Sequence, residues 1–201
     1  MHPAAARALG GAGCYPTAMP IPAFDTNLVL PPHLGNPTLP AQLSPYPCTA
    51  LELCQQFATS PERRQILDGL LRFREMLRTA QFQGFQWLDG SFLEDIETRE
   101  NRPPKDLDVA TLYWEPNIKA LATVVSAQPV LQDQPSIKAQ FHLDHYFVDV
   151  AYNPLLTVES ARYWIGLFSH RRDGVWKGML RVELNTPAED ADAGEYLRRL
   201  P

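Results

Sequence analysis

The sequence predicts a mixed α/β (α+β) domain, a small mixed sheet with flanking helices, on two observations. Short apolar runs of strand length alternate with stretches of helical period between residues 49 and 184. Helix-start signals stand where the helical stretches begin. At 201 residues the chain is long enough for one sizeable core. No stretch approaches ~20 uninterrupted apolar residues, so no membrane span is expected. A net charge of −5 argues against a nucleic-acid binder of the basic-patch kind.

Residues 1–18, rich in Ala and Gly, read as a flexible extension, and Met19 would serve as an alternative start. Prolines crowd the next segment, 19–48, which excludes a continuous helix or a central strand. Its Ile21, Phe24, Leu28, Val29 and Leu30 suit an extended arm packed on the body. The body, 49–184, opens with Thr49 and Glu52 in capping-box spacing. Ser60 as N-cap with Pro61 behind it starts a longer helix. Ile66, Leu70, Phe73 and Leu77 form its buried stripe, and Arg63, Arg64, Arg72, Arg74 and Arg78 are assigned to a solvated face.

Strands are expected at 85–90, 106–114, 141–152 and 176–184, and helices over 117–133 and from a Thr157 cap through 169. Tyr163, Trp164 and Phe168 have helical spacing and are assigned to the core. "RRDGV" reads as a turn. Residues 185–201 read as an acidic tail ending in Arg198 and Arg199. Cys14, Cys48 and Cys54 are odd in number and lack CxxC spacing, which fits a reducing compartment without a disulfide frame or zinc site. A cytoplasmic location is expected.

The stretch "LDGSFLEDIETRENRPPKDLDV" carries the chemistry. Side chains two apart on a strand share a face, so Asp106 and Asp108 point the same way from an otherwise apolar run. Asp149, between Val148 and Val150, is a third carboxylate on a strand that should continue apolar. Burying such charges unpaired is costly, and convergence on a divalent cation would offset that cost. Hard oxygen ligands favour magnesium or manganese. Gly90-Ser91, at a strand end ahead of a short helix, would expose backbone N–H groups to an anion. Arg99, Arg102 and Lys105 follow within reach of phosphates. Asp144 is the rival third carboxylate, on the other face from Asp149, and Asp149 could instead partner His142 or His145. His142 and His145 point to opposite faces and do not share an ion.

This pattern, Gly90-Ser91, then Asp106-Leu107-Asp108-Val109, then Asp149, resembles the nucleotidyltransferase superfamily of the DNA polymerase beta type. From about Ile21 to residue 184, "IPAFDTNLVLPP", "WLDGSF", "KDLDV", "VDVAYNP" and "DGVWKGMLRVEL" are similar to a family of small bacterial nucleotidyltransferase-like proteins. The resemblance implies two-metal transfer of a nucleoside monophosphate from a nucleoside triphosphate to an acceptor: RNA, a protein hydroxyl or a small molecule. Asp106, Asp108 and Asp149 would hold the metals, and Gly90, Ser91 and Lys105 the nucleotide. Small members of this superfamily resemble halves of bacterial toxin–antitoxin or defence modules. Glu94, Asp95 and Glu97 stand close to the phosphate site, and no appended acceptor domain is visible. Those two features motivate the alternative, a non-catalytic binding or antitoxin module acting through a protein partner.

Overall fold

The computed structural model describes residues 20–114, 122 and 125–201. The expected N-terminal extension and the first part of the 117–133 helical stretch fall outside the described residues. The architecture is the mixed α/β arrangement the sequence predicts.

Five strands form one sheet in the order β1-β5-β2-β3-β4. They are β1 (Tyr46–Pro47), β2 (Gln83–Asp89), β3 (Leu107–Trp114), β4 (Leu143–Asp149) and β5 (Leu180–Glu183). Strand β2 runs antiparallel to both β3 and β5, while the β3/β4 and β1/β5 pairs are parallel. The proline-rich arm thus supplies an edge strand, a position where proline's missing N–H is tolerated. Val29 pairs with Glu94 in an isolated bridge, and Val29 and Leu30 are buried.

Helix α1 (Ala50–Phe57) starts at the complete Thr49/Glu52 capping box, and α2 (Pro61–Thr79) at Ser60, whose side chain accepts from Arg63 N–H. A short α3 (Ile96–Glu100) and α4 (Gln134–Phe141) follow, each capped by an aspartate, Asp95 and Asp133. Helix α5 (Pro154–Phe168) begins three residues ahead of Thr157, because Asn153 accepts from Leu155 and Leu156 N–H and proline suits the first turn. The expected acidic tail forms α6 (Pro187–Arg199), which packs against α1 and α2.

The two sheet faces are covered unequally. Leu88, Val109, Leu143 and Leu180 face a large core built with α1, α2 and α4. The other face carries Trp87, Ala110, Leu112 and Val148, which pack against Trp164 and Phe168 of α5. Tyr163 is exposed, so the expected aromatic core set holds for two of its three members.

The solvated arginine face is corrected by the structure. Arg64 and Arg72 do reach the surface, but Arg63 and Arg74 are buried. Arg74 binds Asp190 through Nε and Nη2, both at 2.9 Å, and donates to Gln86 Oε1 at 2.8 Å and the Glu183 carbonyl at 2.6 Å. Gln86 Nε2 donates to the Thr111 hydroxyl at 3.1 Å, which lies 2.8 Å from His145 Nε2. This buried polar chain runs beneath three strands. His145 belongs to it, with burial pushing its pKa down to about 3, so it is neutral.

Candidate active site

Register decides which carboxylates meet. Asp89 on β2 pairs with Asp108 on β3, and Asp108 pairs with Asp144 on β4. Residues paired across strands share a face and lie about 5 Å apart. Asp89, Asp108 and Asp144 therefore form one cross-strand row, with Asp106 two positions before Asp108. The next row along is Trp87, Ala110 and Tyr146, where α5 begins to cover the sheet. The acid row is left at the open end, lining a cleft of about 730 Å³ with Gly90, Ser91, Lys105, Lys138 and Lys177.

Asp149 is not part of this row. It pairs with Tyr113, five positions along β4 from Asp144 and on the opposite face. At ~3.3 Å per residue that is about 16 Å away. Its carboxylate instead accepts from Ala151 and Tyr152 N–H at 2.9 and 3.0 Å, closing the turn after the strand. The carboxylate that joins Asp106 and Asp108 is Asp144.

Gly90 ends β2 with φ 87° and ψ −172°. A Cβ there would lie 2.5 Å from Asp108 Oδ2. Glycine is required twice, for the left-handed φ and for the space the Asp108 carboxylate occupies. Ser91 opens a single 3₁₀ turn, Ser91–Leu93, rather than a longer helix. Gly90-Ser91 is therefore a turn of backbone with a hydroxyl, not a full helix terminus. We expect Gly90→Ala to cost about 1–3 kcal/mol of stability and to displace Asp108, seen as a lower midpoint in thermal unfolding and loss of any metal response.

Two of the three acids after Ser91 are neutralised. Glu94 is buried, with Lys177 Nζ at 3.0 Å and Arg99 Nη2 at 2.8 Å. Glu97 pairs with Arg63 at 2.6 Å, and Arg63 also donates to the Phe92 and Glu94 carbonyls at 2.7 Å. Asp95 caps α3 by accepting from Thr98 N–H at 3.1 Å. Their proximity in sequence does not place three free negative charges against a phosphate.

Lys177 is the buried hub of the site, within 3.1 Å of Asp89 and donating to the Gly90 carbonyl at 3.3 Å. Burial disfavours its ammonium, but Asp89 and Glu94 outweigh that and raise its pKa. Asp89 is pushed up to about 8 by burial, with Lys177 opposing. Asp108 is raised to about 6, by burial first and then by the charges of Asp106 and Asp144. Among the described residues no hydrogen bond or ion pair reaches the Asp108 carboxylate.

Lys138 of α4 bridges the outer acids. Its ammonium lies 2.6 Å from Asp106 Oδ2 and 3.3 Å from Asp144 Oδ2, and Gln134 donates to Asp144 Oδ1 at 2.6 Å. As they stand, no three His, Cys, Asp or Glu side chains among the described residues are arranged to hold a metal ion. The donor chemistry nonetheless fits a hard divalent cation: carboxylate oxygens on one face, with one carboxylate unneutralised.

Exposed Lys105 and Arg172 add positive charge to the rim, and Arg99, Arg102 and Arg171 line it while paired with Glu100, Glu94 or Asp173. Tyr146 and Trp164, with ring centroids 4.8 Å apart, wall the far side. Sequence reasoning missed Asp89, Lys138 and Lys177. Lys138 was findable, since Asp133 with Pro135 signals a helix start. Lys177 carries no local signal, because its partners lie more than eighty residues away.

A family model matches residues 22–183, more than half of the chain. The chain belongs to that family, a family of unknown function designated DUF6932. The matched span holds the whole acid row, Gly90, Ser91, Lys138 and Lys177. No curated protein and no solved structure matches the chain. No helix among the described residues is long and apolar enough to cross a membrane.

Proposed function

We propose that this chain is a metal-dependent nucleotidyltransferase that moves a nucleoside monophosphate from a nucleoside triphosphate to an acceptor hydroxyl. One observation carries the reading: the cross-strand carboxylates Asp108 and Asp144, with Asp106, stand on the face where Gly90 and Ser91 end the neighbouring strand. The resemblance of Gly90-Ser91 and Asp106-Leu107-Asp108 to the polymerase-beta type supports it. Asp106, Asp108 and Asp144 would hold magnesium or manganese, which when bound would stabilise charge on the attacking and leaving oxygens. Backbone N–H groups of the Gly90-Ser91 turn and the Ser91 hydroxyl would donate to phosphate oxygens. Lys105 and Arg172 offset charge on the outer phosphates. Asp144, at the outer edge of the row, is the group to accept the acceptor's proton as the new oxygen–phosphorus bond forms and pyrophosphate leaves.

The acceptor classes are RNA, a protein hydroxyl or a small molecule, in the cytoplasm, within a toxin–antitoxin or defence module. Two unpaired buried cysteines, Cys48 and Cys54, are compatible with that compartment.

A second reading is favoured by Lys138. It already neutralises Asp106 and Asp144 without any metal, as expected of a non-catalytic module that acts through a protein partner. The discriminating experiment incubates the protein with α-labelled nucleoside triphosphates, magnesium and a cell extract as acceptor source. Asp144→Asn is expected to lower label transfer by about 10³-fold, and Asp149→Asn to leave it within about 3-fold. Transfer lost in Asp149→Asn but kept in Asp144→Asn would reverse the assignment, and no transfer by the wild type would favour the second reading.

A further inference from the structure

Helix α5 is apolar on both sides. Its inner side, Trp164 and Phe168, packs on the sheet, while Leu155 and Val158 on its outer side are 69% and 63% exposed. A helix that is hydrophobic all round is ordinarily buried all round. Its charged residues are Glu159 and Arg162, both exposed and paired with each other at 2.9 Å. The outer face therefore has no net charge on a chain whose net charge is −5. A strongly charged partner has nothing to recognise here.

The order of residues along the face identifies the occupant. At 100° per residue, Leu155, Glu159, Arg162 and Gly166 form the central outward seam. Glu159 and Arg162 stand symmetrically about the midpoint between residues 160 and 161, and so do Leu155 and Gly166. A second α5 laid antiparallel about a two-fold axis at that midpoint sets Glu159 against the partner's Arg162, twice. It also sets Leu155 against the partner's Gly166, where an added Cβ would meet nothing within 4 Å among the described residues. Beside the seam, Val158 falls near the partner's Ile165, both exposed and apolar. The face is complementary to itself in charge, in size and in apolarity, as a two-fold interface requires.

We propose that the outer face of α5 is a homodimer interface, in which two copies of this chain pair α5 antiparallel about Ser160-Ala161. The proposal is independent of the nucleotidyltransferase reading.

Sedimentation equilibrium of the full chain tests it. The wild type is expected at twice the monomer mass. Glu159→Arg sets like charges together on both sides of the two-fold axis and is expected to weaken the dimer at least about 10-fold, and Arg162→Glu likewise. The double exchange Glu159→Arg/Arg162→Glu is expected to restore wild-type association. Gly166→Phe, whose Cβ meets nothing within 4 Å among the described residues, is expected to dissociate the dimer without loss of helical circular dichroism. A monomeric wild type would overturn the proposal. So would a dimer indifferent to Glu159→Arg and Gly166→Phe, or a single exchange that the double exchange does not rescue.

Discussion

Asp108→Asn is expected to make the ligand-free protein more stable at neutral pH while abolishing nucleotidyl transfer. The carboxylate is half-buried beside Asp106 and Asp144, and these causes raise its pKa from 3.8 to about 6. A raised carboxylate binds its proton more tightly in the folded state than in the unfolded one. Its contribution to stability is therefore present below about pH 4 and is lost as pH rises through 6. At pH 7 the wild type carries an ionised Asp108 that the fold disfavours, and asparagine removes that charge. Two pKa units correspond to about 3 kcal/mol, and solvent screening at a partly exposed group reduces this to about 1–2 kcal/mol. Thermal unfolding at pH 7 and pH 3.5 measures it: the gain should be present at the first and absent at the second. Transfer activity should fall by at least about 10³-fold in the same variant. A residue whose removal stabilises the fold and destroys activity is there for chemistry. Loss of stability at pH 7 would instead mean that Asp108 has a structural role.

Arg74→Ala is expected to give the largest stability loss of any single change away from the cleft. The guanidinium is fully buried and joins α2 to α6 through Asp190, to β2 through Gln86 and to the end of β5 through the Glu183 carbonyl. Alanine would leave Asp190, also buried, with only Arg78 as a charged partner among the described residues. Breaking one side of a buried pair costs about 3–5 kcal/mol, whereas replacing both sides by apolar groups of similar volume is often neutral. Urea unfolding should therefore show a severe loss in Arg74→Ala and a much smaller one in Arg74→Met/Asp190→Leu. Equal losses would mean that packing volume, not the orphaned charge, sets the cost.

These same residues mark what could be read from the chain. Helix starts were legible because capping is local: Thr49 with Glu52, and Ser60 with Pro61, form as spaced. The shared face of Asp106 and Asp108 was legible because strand alternation is local too. Choosing Asp149 over Asp144 failed because alternation says which residues share a face but not how far a strand slides against its neighbour. The pairing of Asp108 with Asp144 is a fact of β3/β4 register, which the whole sheet sets. Arg63 and Arg74 were assigned to solvent by charge, although Arg63 lies three before Ile66 and Arg74 four after Leu70. Their spacing put them beside the buried stripe, and the half-buried Glu97 and buried Asp190 that make this tolerable sit in distant segments. Lys177 is the extreme case, since both acids it serves come from the β2 end, far away in sequence.

The decisive experiment is thermal unfolding of the wild type and of Asp106→Asn/Asp108→Asn, with and without magnesium, in the presence of each nucleoside triphosphate. A ligand that binds only the folded state at 100 times its dissociation constant adds about 2.7 kcal/mol. The acid row beside Gly90 and Ser91 predicts a magnesium-dependent rise in the wild-type midpoint with nucleotide, and none in the double variant. A wild-type midpoint unmoved by any metal and nucleotide, or a rise that survives the double substitution, would contradict the assignment of that row to metal-bound nucleotide.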